Sequence, residues 1–313
     1  MNNTPYMVFA GTKSRYLAEE ICKELGCKLG QMNTTYFADG EFAVSYEESI
    51  RGKNVFLVQS TFPNSDNLME LLLMVDAAKR ASAKSIVAVM PYFGWARQDR
   101  KDKPRVSIGA KLVADLLSVA GVNRIITMDL HAAQIQGFFD IPLDHLVGMP
   151  ILARMFETRE IDDLVVVSPD LGSVTRARNF AARIDAPLAI IDKRRDKHNE
   201  AIAAHVIGDV KDKVCVMFDD MIDTAGTICM AADMLMEKGA KSVRAVITHP
   251  VLSGAAYERI NASQLQEVIV TDTIPLNQEK DLSKFTVLSV ADIFAEVIEH
   301  VHNYKEISSL FYK

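Results

Sequence analysis

The sequence predicts an α/β protein of two tandem domains with mostly parallel central sheets, related by internal duplication. Three observations carry this. Short, fully apolar runs such as Val55–Val58 and Val214–Phe218 suit strands buried on both faces of a parallel sheet. Polar or small residues end each run and a helix-forming stretch follows, which is the alternation of βαβ units. Finally, Gly52–Gly94 aligns with Asp212–Gly254: both run strand, loop, helix and second strand, and Lys84-Ser85 matches Lys241-Ser242 at an offset of 157. Two domains of one topology follow, 1–147 and 148–313, divided near Val147–Pro150 where Gly148 and Pro150 punctuate the chain. From Ala291 the last 20 or so residues read as an amphipathic helix with a polar tail, free to pack back on the first domain.

Composition narrows the function. The chain has 313 residues, 49% hydrophobic and 24% charged, a globular balance rather than a disordered one. No run approaches the roughly 18 apolar residues of a membrane span, so no membrane partner is expected. The opening MNNTPYMVFAGTK lacks a charged start before an apolar core, so a cytoplasmic location is expected rather than secretion. Cys22, Cys27, Cys215 and Cys229 show no CxxC spacing and read as reduced thiols. A net charge of −6 argues against a nucleic-acid partner. Yet five of the 35 basic residues lie in Arg97–Arg105 and four in Lys193–Lys197. In an acidic chain such local runs point to small polyphosphates.

Polar clusters recur where the apolar runs end, the position at which open α/β sheets bind ligands. In the first copy the loop Gln59–Asn67, QSTFPNSDN, has no acidic pair and no D-T-x-G-T, unlike the corresponding turn of the second copy. Arg124–His131, RIITMDLH, ends in Asp129 and His131, which strand alternation places on one face. His131 is a candidate metal or phosphate contact, with Asp129 to orient it. Asp163–Asp170, DLVVVSPD, delivers Asp170 to a turn, a carboxylate suited to Mg²⁺. Pro187–Lys197, PLAIIDKRRDK, delivers Lys193, Arg194 and Arg195 into a polar loop, cations suited to phosphoryl-type transfer.

The most informative stretch is Val214–Thr227, VCVMFDDMIDTAGT. An apolar strand runs into Asp219 and Asp220, then into the turn Asp223-Thr224-Ala225-Gly226-Thr227. A helix is predicted over Ile228–Lys238, stopped by Gly239. Backbone N–H groups and the positive end of the helix dipole fit a phosphate there. Thr224 and Thr227 add hydroxyl donors. The two carboxylates would repel phosphate but accept hydrogen bonds from the hydroxyls of a diol. Together these describe a site for a phosphorylated pentose. Neither the dinucleotide nor the Walker spacing is present.

This loop resembles the ribose-phosphate loop of type I phosphoribosyltransferases, which implies a phosphoribosyltransferase-like, Rossmann-like fold for both domains. FADGE (Phe37–Glu41), PYFGWARQDR (Pro91–Arg100), DLHAAQIQGFF (Asp129–Phe139), SPDLGSVTRAR (Ser168–Arg178) and DKRRDKHNEA (Asp192–Ala201) accompany it in order. Over its whole length the chain thus resembles class I ribose-phosphate diphosphokinases, the phosphoribosyl-pyrophosphate synthetases. The resemblance implies Mg²⁺-dependent transfer of the diphosphoryl group of ATP to the C1 hydroxyl of ribose 5-phosphate. The products would be AMP and 5-phosphoribosyl 1-diphosphate, for nucleotide, histidine and tryptophan biosynthesis. By the same resemblance, Phe37, Asp39 and Glu41 grip the adenine and ribose of ATP from a neighbouring subunit, while Arg97 and Gln98 contact it from their own. His131 and Asp170 are magnesium-associated, and Lys193 and Arg195 stabilise the transition state. Asp219, Asp220, Asp223, Thr224, Ala225, Gly226 and Thr227 bind ribose 5-phosphate.

Assembly and regulation rest on the resemblance too. It implies a homo-oligomer, a hexamer in many relatives, activated by phosphate and inhibited by ADP through contacts resembling Ser49, Arg80, Gln136, Asp144 and Ser308. Three departures stand out: VSIGA (Val106–Ala110) where many relatives carry VPITA, Ser173 after Gly172 where a second glycine is common, and Ala225 in place of a frequent glycine. Two other readings compete. A phosphoribosyltransferase would leave the rebuilt first copy, FADGE and ARQD unexplained. A synthetase-associated regulatory subunit would depart at the catalytic and sugar-phosphate segments, which are intact here.

Overall fold

The computed structural model describes residues 6–158, 161–195 and 202–308, with the side chains of 193–195 and 202–204 outside that description. The chain divides into two units. One comprises Met1–Val147, Thr273–Pro275 and Val290–Lys313; the other comprises Gly148–Asp272 and Leu276–Ser289.

In the first unit the apolar runs form a parallel sheet. Its elements are β1 (Tyr6–Ala10), α1 (Arg15–Glu24), β2 (Met32–Tyr36), β3 (Phe42–Tyr46), β4 (Asn54–Val58), α2 (Asp66–Arg80), β5 (Ser85–Met90), α3 (Gly109–Ala120), β6 (Arg124–Met128) and β7 (Leu143–Leu146). The five-stranded sheet runs β1-β4-β5-β6-β7, every neighbour parallel. β2 and β3 form a separate antiparallel hairpin.

The second unit holds α4 (Met149–Glu157), β8 (Leu164–Ser168), α5 (Val174–Arg183), β9 (Leu188–Arg195), β10 (Ile202–Ile207), β11 (Val214–Ile222), α6 (Gly226–Glu237), β12 (Ser242–Pro250), α7 (Ala256–Ala262), β13 (Leu265–Thr271) and β14 (Phe285–Leu288). Its sheet runs β10-β9-β8-β11-β12-β13-β14 and is parallel except at β10. Alternate residues of β11 explain its unbroken apolar run. Cys215 and Met217 pack with Leu235 and Ile260, while Val216 and Phe218 pack with Phe156 and Phe180. Phe218 stacks on Phe180 at 4.4 Å between centroids. Burying such a side chain contributes about 1.5–3 kcal/mol. The last helix, α8 (Ala291–His302), belongs to the first unit, where it packs against α1 and Asn54 bonds the His302 ring at 3.1 Å.

The two copies of the repeat share their register. Asn54 pairs with Ser85 in one, and its counterpart Val214 pairs with Ser242 in the other. The N–H of Lys84 donates to the carbonyl of Lys53 at 2.8 Å, and that of Lys241 to Lys213 at 2.8 Å. What differs is the turn after the first strand of each copy.

Three local expectations are corrected. Strand β11 does not stop at Phe218 but continues through both aspartates, because parallel pairing with β12 holds Asp219 opposite Ile247 and Ile222 opposite Pro250. Helix α6 begins at Gly226, two residues before the predicted start, and Gly239 at φ +86° follows its end. Strand β6 ends at Met128 and Asp129 takes φ +38°. Alternation therefore does not put Asp129 and His131 on one strand face.

Candidate active site

The segment Asp219–Thr227, expected from the sequence to bind a phosphorylated pentose, sits at the carboxyl ends of neighbouring strands in the second unit. Asp220 is 3% exposed on β11, and Asp219 beside it is partly exposed. Nη1 of Arg176, from α5, lies 3.0 Å from Oδ1 of Asp220 and 3.4 Å from Oδ1 of Asp219. The Asp220 N–H also donates to Oδ1 of Asp219 at 2.9 Å. Burial, reinforced by the Asp220 charge, pushes the Asp219 carboxyl up to about 7, against the pull of Arg176. Two adjoining carboxylates with one guanidinium form a strong acceptor set for hydroxyl donors.

The turn that follows is braced from three sides. Leu252 N–H donates to Ile222 O at 3.0 Å, Ser253 N–H to Asp223 O at 3.1 Å, and Arg259 Nη1 to Thr224 O at 2.7 Å. Ala225 takes φ +60°, ψ 0° and is 4% exposed. This left-handed conformation suits glycine, so the alanine is strained. It precedes α6, whose first-turn N–H groups have no intrahelical partners. The brace fixes the loop before a ligand arrives, which lowers the ordering cost of binding.

Asp170 follows β8, the neighbour of β11. Its Oδ1 accepts from the Ser173 N–H and the Ser173 hydroxyl, both at 2.9 Å, so the serine at the departure site orients the carboxylate. Lys193 and Arg195 were expected in a loop. Their backbone instead lies in β9, opposite Ala204 and Ile202 of β10. Beyond Ile190 this ribbon has left its pairing with β8. Their side chains lie outside the described residues. Carboxyl ends of three adjacent strands, β9, β8 and β11, thus carry the predicted residues of this unit.

In the first unit Arg97, Gln98 and His131 line one cavity of about 520 Å³ with Arg100, Lys103 and Ser107. Three cations, Arg97, Arg100 and Lys103, thus face two carboxylates, Asp99 and Asp102, an excess of positive charge suited to an anionic ligand. Asp99 and Asp102 also line it, and Asp99 accepts from Gln134 at 2.9 Å. His145, on β7, accepts the Leu130 N–H at 2.9 Å and so supports the loop that carries His131. Phe37, Asp39 and Glu41 do not line this cavity. They form the tip of the β2–β3 hairpin, where Phe37 N–H donates to Glu41 O at 2.8 Å and Phe37 is 51% exposed.

The rebuilt copy shows how its site was closed. Gln59 and Ser60 stand where Asp219 and Asp220 stand in the second copy, and the helix offset of 157 puts Glu70 at the position of Thr227. Glu70 is 2% exposed and accepts from the Thr12 N–H and hydroxyl, the Thr34 hydroxyl and Gln59 Nε2 at 2.8–3.1 Å.

The five regulatory positions have separate surroundings. Ser49 lines a cavity with Glu48 and Lys53. Arg80 donates to Asp76 at 2.7 Å, and Gln136 Nε2 to Ala133 O at 3.0 Å. Both oxygens of Asp144 accept from Arg124 at 2.7 Å. Ser308 donates to Glu306. Sequence reasoning gave no role to Arg176, Arg259 or Glu70. The run of arginines in SPDLGSVTRAR was the one signal for Arg176, and only the placement of α5 against β11 selects it.

No described helix is long and apolar enough to cross a membrane. Comparison with known proteins agrees with these motifs. Residues 6–121 match the N-terminal domain of ribose phosphate pyrophosphokinase, and 195–312 match the phosphoribosyl synthetase-associated domain. A ribose-phosphate pyrophosphokinase of Porphyromonas gingivalis is 58% identical over 312 residues, 99% of each chain. That of Clostridium perfringens is 56% identical over 308 residues, 97% of each. The crystal structure of phosphoribosylpyrophosphate synthetase from Mycobacterium smegmatis matches with a TM-score of 0.90 at 44% identity, covering 96% of this chain and 99% of that one. The chain is an enzyme and belongs to the ribose-phosphate pyrophosphokinase family.

Proposed function

We propose that the protein transfers the diphosphoryl group of ATP to ribose 5-phosphate, giving 5-phosphoribosyl 1-diphosphate and AMP. The observation that carries this is the carboxylate pair Asp219–Asp220 beside the braced turn Asp223–Thr227, a diol acceptor next to a phosphate nest. In this reading the turn and the first N–H groups of α6 hold the 5-phosphate, and Asp219 and Asp220 accept from the ribose hydroxyls. The C1 hydroxyl oxygen attacks the β-phosphorus. The C1 O–Pβ bond forms as the bond from Pβ to the α-phosphate oxygen breaks, AMP leaves with that electron pair, and the C1 hydroxyl proton passes to solvent. Arg97 and Gln98 bind the nucleotide, and Lys193 and Arg195 offset charge on the transferring group.

Magnesium fits the residue set in one way. Among the described residues no three His, Cys, Asp or Glu side chains form a cage for a metal. Mg²⁺ needs no such cage, since it keeps several waters and is held largely by substrate phosphates. Asp170 and His131 would supply the protein's share. The ion supplies charge neutralisation on the phosphates when bound. Ser173 holds Asp170 in one orientation for that task.

We further propose that Phe37, Asp39 and Glu41 serve the nucleotide site of a neighbouring subunit in a homo-oligomer, a hexamer by analogy with relatives. Their exposure at a hairpin tip supports this. Phosphate activation and ADP inhibition at Ser49, Arg80, Gln136, Asp144 and Ser308, and a cytoplasmic location for nucleotide, histidine and tryptophan biosynthesis, belong to the same reading. A rate independent of phosphate, with ADP purely competitive, would remove the regulatory part.

The test is AMP formation assayed with ATP, ribose 5-phosphate and Mg²⁺, each omitted in turn, for the wild type and for Lys193→Ala and Asp220→Asn. Turnover that needs all three and collapses in folded variants supports the proposal. A folded, nucleotide-binding protein without turnover would make it a regulatory subunit.

A further inference from the structure

Gln98 lines the cavity that Arg97, Arg100 and Lys103 share with Asp99 and Asp102, and it is held there by a seat that two other residues make. Its N–H donates to Trp95 O at 2.9 Å and its carbonyl accepts from Ala110 N–H at 3.2 Å, so its backbone is tied on both sides. The side chain folds back over Gly109, the first residue of α3. A Cβ on Gly109 would come within 2.7 Å of Oε1 and 3.1 Å of Cδ of Gln98. The Ser107 hydroxyl donates to the same Oε1 at 3.2 Å. With Oε1 accepting from Ser107, the amide is set with its nitrogen as the donor end, which carries two N–H groups. They belong to a side chain that lines the cavity with Arg97, Arg100, Lys103 and His131.

We propose that Gly109 and Ser107 are positioning residues for nucleotide binding: they orient Gln98 so that its amide donates to the nucleoside triphosphate. Gly109 does this by having no side chain, since any Cβ displaces the amide. Ser107 does it by occupying Oε1, which sets the amide the right way round. This explains the VSIGA segment physically, because both of its unusual residues touch Gln98. The inference rests on the reading of the cavity as the nucleotide site.

Gly109→Ala separates positioning from structure. Alanine is the better helix former, and a purely structural glycine would leave the variant equally or more stable with unchanged kinetics. Positioning predicts an unchanged or higher unfolding midpoint but a KM for ATP raised about fivefold to tenfold, the size of one hydrogen bond. The KM for ribose 5-phosphate should stay within about twofold, below what a lost hydrogen bond produces. Ser107→Ala, which breaks an exposed hydrogen bond, should raise the KM for ATP less. On a Gln98→Ala background, adding Gly109→Ala should have no further effect.

The experiment is steady-state kinetics with each substrate varied, plus equilibrium ATP binding, on the full chain, the three single variants and the Gln98→Ala/Gly109→Ala double variant. Gly109→Ala with an unchanged KM for ATP, equal rises in both KM values, or independent losses in the double variant would each overturn the proposal. Absence of turnover in the wild type would sink the proposed reaction instead, and the ATP-binding measurements would still decide the role of Gly109.

Discussion

Nη1 of Arg176 donates to Oδ1 of Asp220 at 3.0 Å and lies 3.4 Å from Oδ1 of Asp219, so one guanidinium serves the two adjoining carboxylates proposed to accept the ribose hydroxyls. Side by side with Asp220 and largely buried, Asp219 has its ionisation opposed by burial and by the Asp220 charge. One guanidinium from α5 reaches both.

Arg176→Ala should therefore damage binding and stability together. Losing hydrogen bonds to charged groups costs about 1.5–3 kcal/mol, read as a lower unfolding midpoint. The KM for ribose 5-phosphate should rise at least about tenfold, the equivalent of 1.4 kcal/mol, with the KM for ATP little changed. An unchanged sugar-phosphate KM would mean that Arg176 is a surface ion pair without a role in the site.

Asp219 gives a pH dependence with a definite sign. Its carboxyl is raised to about 7 in the fold, above the ordinary unfolded value of about 3.9. Between these values the native state binds more protons, so its contribution to stability falls as pH rises and is fully lost above about 7. Asp219→Asn should accordingly stabilise the protein more at pH 8 than at pH 5. Denaturant unfolding at both values checks this, and equal gains would contradict it. Binding of ribose 5-phosphate to the wild type should tighten over the same rise, because the ionised carboxylate is the better acceptor.

Ala225 holds a left-handed backbone at φ +60°. Ala225→Gly should relieve about 1 kcal/mol of strain, offset in part by the lost methyl and the freer unfolded chain. The expected result is a small rise in the unfolding midpoint with the sugar-phosphate site intact. A clear fall would show that the buried methyl outweighs the strain.

Glu70 is a buried carboxylate that accepts from four donors. Glu70→Ala leaves the Thr12 N–H and the Gln59 amide without their acceptor, and should destabilise by about 2–4 kcal/mol. Differential scanning calorimetry reads this as a lower midpoint. A variant as stable as the wild type would show that water or a solute anion replaces the carboxylate.

Much of this was legible in the sequence where one physical demand left one residue pattern. A strand buried on both faces must be apolar throughout, which is why Val214–Phe218 identified β11. A phosphate-binding turn needs small, hydroxyl-bearing residues between a strand and a helix, which is why Asp223–Thr227 stood out. Tertiary pairing hid the rest. Aspartates disfavour strands, yet β12 carries β11 on to Ile222. Lys193 and Arg195 read as loop cations, whereas pairing with β10 extends β9 through them. Arg176 and Arg178 are equivalent by composition, and only the rotation of α5 selects the first. Gln98 and Gly109 meet because a loop closes between them, and no periodicity records that.

The most direct test of the central claim is a phosphorus NMR time course with ATP, ribose 5-phosphate, Mg²⁺ and inorganic phosphate. The account predicts AMP and a diphosphate on the sugar C1 oxygen, growing together and absent when either substrate is omitted. Formation of ADP with a single phosphoryl group on the sugar, or hydrolysis of ATP indifferent to ribose 5-phosphate, would contradict it.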